Sequence, residues 1–158
     1  ASDNDSGVIG THMRSDGTMR EWLWIKTGGT QHPYTSDFAY DGTDKIIMNG
    51  SDVFKVAVRE MAGAAVKVLQ DAGLKTKDVK LLIPHQANIR IIDAVSKRLK
   101  LSDEQVFVNI EKYGNTSAAS VPLALDEANR SGRLNKGDYV VMVAFGGGLI
   151  WGASLVKW

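Results

Sequence analysis

Short apolar runs alternate with longer amphipathic stretches along this chain, and this alternation most restricts its fold. Residues 80–84 and 139–145 are apolar runs of strand length, whereas residues 51–72 carry apolar side chains at helical spacing. Strands that alternate with helices favour an α/β domain in which helices cover a sheet. We therefore expect residues 1–158 to form one domain, a layered mixed sheet with helices.

Turn and capping residues predict where the elements lie. Asp16-Gly17 predicts a tight turn between strands at 7–13 and 21–26. Ser51 and Asp52 predict the start of a helix that stops at Gly73. The other predicted elements are a functional or covering loop at 27–44, a strand at 80–84, a helix at 88–100 with Ile89, Ile92, Val95 and Leu99 facing inward, a strand at 106–110, a helix at 116–130, and a hairpin of 139–145 with 149–156.

Composition excludes several classes of protein. The chain has no cysteine, which excludes disulfides and thiolate metal sites, and its three histidines lack a metal-ligand spacing. The net charge of +1 gives no overall attraction to nucleic acid. The longest apolar run, at 139–145, is too short to cross a bilayer, and residues 1–7 lack the features of a signal peptide. We therefore expect a cytoplasmic protein with no metal, nucleic-acid or membrane partner.

Three short motifs carry the residues best suited to chemistry. They are Pro-His-Gln-Ala-Asn at 84–88, Gly-Asn-Thr-Ser-Ala-Ala-Ser at 114–120 and Phe-Gly-Gly-Gly at 145–148. His85 offers a neutral base or hydrogen-bond donor, Asn115 offers an amide donor, and the glycines offer a backbone loop open to close approach. Such groups stabilise negative charge that develops on a thioester oxygen. The usual nucleophile for thioester exchange, a cysteine, is absent from the chain.

Each motif also has a purely structural interpretation. His85 suits a core or helix-capping position, and Asn115 suits the N-cap of the helix that follows it. Three glycines between strands are typical of a tight hairpin. His12 and His32 are interpreted as non-catalytic, and the four tryptophans as core or edge-packing residues.

The same motifs resemble those of a known enzyme family. PHQANIRI at 84–91, GNTSAASVPLALDEA at 114–128 and AFGGGLIWGASLVKW at 144–158 are similar to the C-terminal half of the β-ketoacyl-acyl-carrier-protein (ACP) synthases III, the condensing enzymes that start bacterial fatty-acid synthesis. The resemblance extends from about Gly7 to Trp158 and includes VFKVAV at 53–58. It implies the C-terminal half of a thiolase-like fold, whose two halves stack into α-β-α-β-α layers.

The resemblance implies a division of roles among the site residues. His85 matches the active-site histidine, whose Nε2 donates to the thioester carbonyl of malonyl-ACP during decarboxylation, and Asn115 is a second donor to the same oxygen. One glycine of the loop, for which we choose Gly147 over Gly146, lies in the oxyanion hole used while the cysteine is acylated, with Phe145 beside the reacting carbons. The cysteine belongs to the N-terminal half in this family, so we expect this chain to be a fragment or one piece of a split polypeptide.

A basic helix surface is the candidate site for the acidic carrier protein. Arg90 is the first choice because it lies near the start of the helix after the His85 loop, and Lys55, Lys97 and Arg98 add positive charge. Such surfaces are more often simply solvated, and this interpretation stays open.

Three more residues complete the expected carrier- or CoA-binding set. Asn88 and Ser51 match pantetheine-contacting positions of the family loosely, and Gln86 lies beside them in the motif. Ser51 departs from the asparagine expected in some members of the family.

The resemblance implies an acyltransferase that condenses malonyl-ACP with a primer from acetyl-CoA or a related acyl-CoA, active together with the Cys-bearing half. It implies no permanently bound cofactor, since both substrates are phosphopantetheine thioesters. The implied partners are the N-terminal half, acyl carrier protein and a second copy in a homodimer of the complete enzyme. Two alternatives stay open: another Cys-His-Asn condensing enzyme of secondary metabolism, and a non-catalytic domain that binds CoA or carrier protein.

Overall fold

A computed structural model describes residues 6–36 and 42–158. Within these ranges the strands are β1 (Gly7–Ser15), β2 (Leu23–Ile25), β3 (Ile46–Met48), β4 (Val79–Pro84), β5 (Tyr139–Gly146) and β6 (Ile150–Lys157). The α-helices are α1 (Gly50–Asp71), α2 (Ile89–Leu99), α3 (Ile110–Tyr113) and α4 (Ser120–Arg130). Short 3-10 helices cover Gly17–Trp22, Thr76–Asp78, Asp103–Gln105 and Ser117–Ala119. None of the helices in the described ranges is both long and apolar enough to span a bilayer.

The main sheet has the strand order β1-β6-β5-β4. β5 and β6 form an antiparallel hairpin, β1 pairs antiparallel with β6, and β4 pairs parallel with β5. The hairpin predicted near the C-terminus and the strand predicted at 80–84 are therefore confirmed. Because β4 and β5 run in the same direction, their carboxyl ends, at Pro84 and Gly146, lie at one edge of the sheet.

Helices cover both faces of this sheet. Leu82 of β4 belongs to the apolar cluster formed with α1 and α2, whereas Leu81 and Ile83 belong to the cluster formed with Ala124 and Ala128 of α4. Successive side chains of a strand point to opposite faces, so β4 is buried on both sides. Each fully buried leucine or isoleucine stabilises the fold by about 1.5–3 kcal/mol. The predicted α/β class, a layered mixed sheet with helices, is confirmed.

Helix α1 begins before its predicted caps. Its first residue is Gly50 and its N-cap is Asn49, so Ser51 and Asp52 lie inside the first turn. The Asp52 carboxylate accepts from Asn49 Nδ2 at 2.8 Å and from Lys55 Nζ at 3.1 Å. This position is favourable for a carboxylate because it faces the positive end of the helix dipole.

Helix α2 matches its prediction except at one side chain. Asn88 is its N-cap, and Lys100 ends it in the left-handed conformation with φ of 57°. The buried apolar side chains are Ile92, Val95 and Leu99, as predicted. The prediction that Ile89 faces inward is wrong: this side chain is 45% exposed, since the first turn follows directly on the loop after β4.

The predicted pairing of the two N-terminal strands is also wrong. β1 pairs with β6 and β2 pairs with β3, while Gly17–Trp22 forms a 3-10 helix instead of a hairpin turn. Asp16 is responsible, because its Oδ1 accepts from the Thr18 N–H at 2.9 Å and from the Thr18 hydroxyl at 2.6 Å and so caps this helix. The Asp16 N–H donates to the Leu149 carbonyl at 2.9 Å, and the Leu149 N–H donates back at 3.1 Å. These two bonds attach the end of β1 to the tip of the β5–β6 hairpin.

The strand predicted at 106–110 reduces to a single bridge between Val106 and Leu82. The Phe107 N–H donates to the Leu82 carbonyl at 2.9 Å. Beyond that point the Gln86 side chain replaces a neighbouring strand: its Nε2 donates to the Phe107 carbonyl at 3.2 Å, and its Oε1 accepts from the Asn109 N–H at 3.0 Å. The chain then turns into α3.

The predicted loop at 27–44 has no helix or strand in its described part, and residues 37–41 of it lie outside the described residues. The four tryptophans are half-buried, which agrees with edge packing. They are Trp22, Trp24, Trp151 and Trp158.

Gly152 marks a close approach of β1 to β6. A Cβ at this position would lie 2.9 Å from the His12 carbonyl oxygen and 3.1 Å from Met13 Cγ. Because the backbone of a paired strand yields little, we expect Gly152→Ala to lower the free energy of unfolding by about 1–3 kcal/mol. Unfolding in denaturant measures the change.

Gly63→Ala in α1 is the matched control, because a Cβ there meets no atom within 4 Å. In a helix this change should raise stability by about 0.5–1 kcal/mol. Equal stability of the Gly152→Ala variant and the unaltered protein would contradict the close approach of β1 to β6.

Candidate active site

The three motifs meet at the carboxyl edge of the main sheet. His85 follows β4 directly, and its backbone N–H donates to the Val143 carbonyl of β5 at 2.8 Å, so the parallel ladder continues past the strand end. Phe145 and Gly146 are the last residues of β5. The motif at 114–120 reaches the same edge through Ser120, the first residue of α4, which contacts the His85 ring. Loops at this edge of an α/β sheet are a common location for functional groups.

His85 is half-buried, and its ring has one polar side-chain partner in the described ranges. Its Nδ1 lies 2.5 Å from Ser120 Oγ. Burial lowers the pKa of His85 below its ordinary value of 6.5, because the charged imidazolium loses hydration. The imidazole is therefore neutral at pH 7, which is the state required of an uncharged hydrogen-bond donor.

Asn115 lies in an exposed turn between α3 and the Ser117–Ala119 helix. Its Oδ1 accepts from the Ser117 N–H at 3.0 Å. Because an N–H can only donate, the amide oxygen must face it, and Nδ2 is left as a donor. Ser117 has a φ of 54°, an uncommon conformation for a residue with a side chain. The helix predicted at 116–130 therefore begins one residue later, with the 3-10 turn Ser117–Ala119, which continues directly into α4 at Ser120.

The glycine motif forms the tip of the β5–β6 hairpin. Gly146 ends β5, and the two backbone bonds between Asp16 and Leu149 hold the other side of the tip. Gly147 is enclosed by the neighbouring chain, because a Cβ there would lie 3.0 Å from the Leu23 carbonyl oxygen. The structural interpretation as a tight hairpin therefore applies, and the loop backbone is held in place from both sides.

Phe145 is held by an aromatic neighbour. Its ring stacks on that of Trp151 with centroids 6.5 Å apart and an interplanar angle of 16°. Stacking of this kind fixes the orientation of both rings across the hairpin.

Four of the five residues expected to contact a carrier lie near the starts of α1 and α2. The Arg90 guanidinium lies 5.6 Å from the centroid of the Phe54 ring, so these two helix starts are adjacent. Ser51 and Lys55 are close to Phe54 in the first turns of α1, and Asn88 caps α2 with its Oδ1 accepting from the Arg90 N–H at 2.9 Å. All four expected residues are exposed.

Gln86 lies inside the protein instead of on this surface. It is 1% exposed, and its Nε2 donates to the Pro84 carbonyl at 2.8 Å as well as to the Phe107 carbonyl. Because both amide protons have acceptors in the core, the expected contact of Gln86 with a carrier does not fit the structure. Lys97 and Arg98 lie in the last turn of α2, at the opposite end of that helix from the expected surface.

Sequence reasoning missed Ser120 and Phe54. The partner of Ser120 lies 35 residues away, so no local pattern reports the contact. A partial signal existed, because Ser120, Ala124 and Ala128 recur every four residues and share the buried face of α4. Phe54 lies within the stretch at 51–72, whose apolar spacing predicts a helix but does not predict that the Phe54 ring lies half-buried beneath Arg90.

A second polar network near α4 supports the structure around the site. Glu127 accepts from Asn109 Nδ2 at 2.9 Å and pairs with Lys112, whose ammonium is the main cause of a lowered pKa at Glu127. This network connects α4 to the segment after Phe107. Residues 6–36 and 42–158 contain no cluster of His, Asp or Glu suited to a metal ion.

This fold is that of the thiolase-like condensing enzymes. The sequence profile described as 3-oxoacyl-[acyl-carrier-protein (ACP)] synthase III C terminal matches residues 69–158. Because this match covers more than half of the chain, the chain belongs to the 3-oxoacyl-ACP synthase III family, as its C-terminal part. The predicted family and the predicted thiolase-like fold are confirmed.

Individual relatives agree with this assignment. The β-ketoacyl-ACP synthase III of Clostridioides difficile (strain 630) is 54% identical over 155 residues, which are 98% of this chain and 47% of that protein. The crystal structure of 3-oxoacyl-ACP synthase III from Aquifex aeolicus VF5 superposes with a TM-score of 0.86 at 44% identity, covering 100% of this chain and 46% of that chain. The crystal structure of the priming β-ketosynthase from the R1128 polyketide pathway superposes with a TM-score of 0.83 at 35% identity, covering 95% of this chain and 45% of that chain. The chain thus spans about half the length of these relatives.

The lowered pKa of His85 predicts its titration. The unfolded chain protonates this ring near the ordinary value of 6.5, whereas the folded protein does so at lower pH. The unfolded state therefore binds more protons between the two values, so stability is fully present above pH 6.5 and falls as the pH decreases toward the folded pKa. An NMR titration of the imidazole, assigned with His85→Gln, should give a midpoint below 6.5. A midpoint at or above that value would contradict the burial of the ring.

Proposed function

We propose that this chain supplies the histidine–asparagine half of a β-ketoacyl-ACP synthase III, which condenses malonyl-ACP with an acyl-CoA-derived primer at the start of fatty-acid synthesis. One observation carries the proposal: in both His85 and Asn115, one polar side-chain atom is held by a hydrogen bond within the protein, and the other polar atom remains available to donate to a substrate. Ser120 engages His85 Nδ1, and the Ser117 N–H engages Asn115 Oδ1. The atoms that remain, Nε2 of the ring and Nδ2 of the amide, are the donors for one thioester oxygen.

The first proposed step for these residues is decarboxylation of the malonyl thioester. The bond between the α-carbon and the carboxylate breaks, CO₂ leaves, and the electron pair stays with the thioester as an enolate. Negative charge then develops on the thioester oxygen, where His85 Nε2–H and Asn115 Nδ2–H donate. Both donors are uncharged, so neither loses its function by releasing a proton near pH 7.

The second step forms the new carbon–carbon bond. The enolate carbon attacks the carbonyl of a primer held as a thioester on the cysteine of the N-terminal half, and the cysteine leaves as thiolate. The product is a 3-ketoacyl-ACP. A backbone N–H of the glycine loop, which we assign to Gly147 with Gly146 as its neighbour, stabilises the oxyanion while the cysteine is acylated. Phe145 lies beside the reacting carbons and excludes water from them.

The carrier protein and CoA are proposed to bind at the surface formed by Arg90, Lys55, Asn88 and Ser51. Acidic carrier proteins approach a basic rim faster and in a preferred orientation, because opposite charges steer the encounter. Exposure of all four side chains beside the start of α2 supports this assignment. The reaction proposed here needs no permanently bound cofactor, since both acyl groups arrive as thioesters.

Exposed apolar strands support the proposed protein partners. Val8 and Met13 on β1, and Ile46 and Met48 on β3, expose aliphatic side chains. Such groups on one protein commonly mark contact with another protein surface. We assign them to contacts with the Cys-bearing half and with the second copy of a homodimer, which acts in the cytoplasm.

A second candidate function is priming condensation in secondary metabolism. The similarity to the R1128 priming β-ketosynthase favours it. His85 and Asn115 serve either function, because they are proposed to contact the thioester and not the acyl chain. Product analysis of the reconstituted enzyme with malonyl-ACP and with malonyl-CoA, across primers of different length, separates the two.

Alanine substitution at His85 or Asn115 tests the proposed roles. Each variant, assembled with the Cys-bearing half, should lose malonyl decarboxylation by about 10²–10³-fold, since one oxyanion donor contributes that much. Acylation of the cysteine by primer-CoA should persist, because backbone N–H groups stabilise that step. Release of labelled CO₂ and the mass of the acyl-enzyme measure the two half-reactions. Asn129→Ala, an exposed amide at the end of α4, is the control. An equal loss of both half-reactions would show that the roles are assigned wrongly.

Charge reversal at Arg90 tests the docking surface. We expect Arg90→Glu to raise the KM for malonyl-ACP about ten-fold at low salt and less at high salt, because mobile ions screen exposed charges. Transfer from primer-CoA should change much less. Lys136→Glu is the matched control, since Lys136 is exposed just before β5, at the opposite edge of the sheet from His85. An unchanged KM for malonyl-ACP at low salt would show that Arg90 is an ordinary solvated side chain and does not bind the carrier protein.

A further inference from the structure

Ser120 is buried in the first turn of α4, and its hydroxyl contacts the His85 ring. It is 2% exposed, and its Oγ lies 2.5 Å from His85 Nδ1 and 3.2 Å from the backbone nitrogen of Gln86. In the part of the chain that the structure describes, these two atoms are the hydrogen-bond partners of the hydroxyl. The reaction steps above use His85 and give Ser120 no role.

The available protons fix the direction of both hydrogen bonds. The Gln86 N–H can only donate, so Ser120 Oγ accepts it. The hydroxyl has a single proton, and His85 Nδ1 is the acceptor in reach. If Nδ1 carried the imidazole proton, two N–H groups would point at Oγ and the buried hydroxyl proton would have no acceptor, which is costly. The unprotonated ring nitrogen is therefore Nδ1.

We propose that Ser120 is the positioning residue of His85: its hydroxyl donates to Nδ1, holds the imidazole as the Nε2–H tautomer and orients that N–H toward the substrate oxygen. This inference deepens the proposed function and rests on it for the substrate, a malonyl thioester. Ser120 acts through His85 and makes no contact with the reacting atoms.

The groups around Ser120 are themselves held in place. The Gln86 side chain donates to the Pro84 carbonyl and accepts from the Asn109 N–H. These two bonds fix Gln86, and with it the backbone N–H that donates to Ser120 Oγ. On the other side, α4 is anchored to the sheet through Ala124. A hydroxyl held between two fixed groups restricts the ring more strongly than a solvated one, because buried hydrogen bonds are stronger in a low-dielectric environment.

The same arrangement opposes protonation of His85. An imidazolium has N–H groups on both nitrogens, so Nδ1–H and the Gln86 N–H would both point at Ser120 Oγ. The hydroxyl proton would then lose its acceptor. Burial acts in the same direction, since it lowers the pKa of His85.

The tautomer is measured directly by nitrogen NMR of the complete enzyme containing ¹⁵N-histidine. The two ring nitrogens of a neutral imidazole have distinct chemical shifts according to which carries the proton, and His85→Gln identifies the resonances. We expect a proton on Nε2 and none on Nδ1. A proton on Nδ1, or an equal mixture of tautomers, would overturn the proposal. This measurement needs no variant at Ser120.

Substitutions at Ser120 connect the tautomer to the chemistry. Ser120→Ala removes the donor and should lower malonyl decarboxylation about 10–100-fold, the usual cost of losing a group that orients an active-site side chain. Acylation of the cysteine by primer-CoA should stay within about two-fold, because it uses backbone donors. Ser120→Thr keeps the hydroxyl and should restore most of the lost rate. In Ser120→Ala the ring nitrogens should report mixed tautomers.

Ser96→Ala is the matched control. Ser96 is also a buried helical serine, but its hydroxyl donates to the Asp93 carbonyl of its own helix at 2.9 Å. This variant should keep both half-reactions and the tautomer. Unchanged decarboxylation and an unchanged tautomer in Ser120→Ala would refute the positioning role.

The outcomes also separate this inference from the proposed function. An Nε2–H tautomer in an enzyme that does not decarboxylate malonyl thioesters would support the hydrogen-bond assignment and refute the function. An active enzyme with the Nδ1–H tautomer would support the function and refute the role of Ser120. If Ser120→Ala does not fold, the tautomer of the unaltered enzyme still decides the proposal.

Discussion

The parallel pairing of β4 with β5 is the constraint on which the site depends. The pairing continues past the strand end, where the His85 N–H donates to Val143, so the position of His85 follows from the register of the sheet. That register is strongly specified, because a slip of one residue would exchange Leu81 and Leu82 between two different apolar clusters. The same slip would carry His85 away from Ser120. Core packing and the placement of the histidine are therefore one requirement.

Much of this arrangement could be predicted because its signals are local. The apolar spacing at 51–72 predicts a helix such as α1. Gly73, which has a φ of 70°, ends the helical region where the sequence indicates. The β5–β6 hairpin follows from two apolar runs around glycines. The candidate site residues His85 and Asn115 were predicted from short motifs that the family resemblance connects to thioester chemistry. Their roles rest on that resemblance, whereas their hydrogen bonds come from the structure.

The features that could not be predicted depend on contacts between distant segments. Residues 106–110 have the composition of a strand, but the buried amide of Gln86 takes the backbone groups that a neighbouring strand would pair with. Asp16 looked like a turn residue and instead caps a 3-10 helix. Ser120 lies on the buried face of α4 with Ala124 and Ala128, so the need for a small side chain would by itself explain why a serine is found there. The side chains of Gln86 and Ser120 contact backbone or ring atoms far from them in sequence, and the backbone of Asp16 pairs with that of Leu149. Periodicity reports no such contact.

The paired bonds between Asp16 and Leu149 have a consequence for the order of folding. They join opposite ends of the described chain, so they form only after a very large loop closes, and loop closure costs entropy before the contact repays it. The glycine tip therefore acquires its final shape late, when the N-terminal strand adds to the sheet edge. A chain that is still folding already contains the histidine but lacks the shaped tip beside it. Completion of the domain is thus the event that places the candidate site histidine beside the shaped glycine tip, and unfinished chains do not present that arrangement.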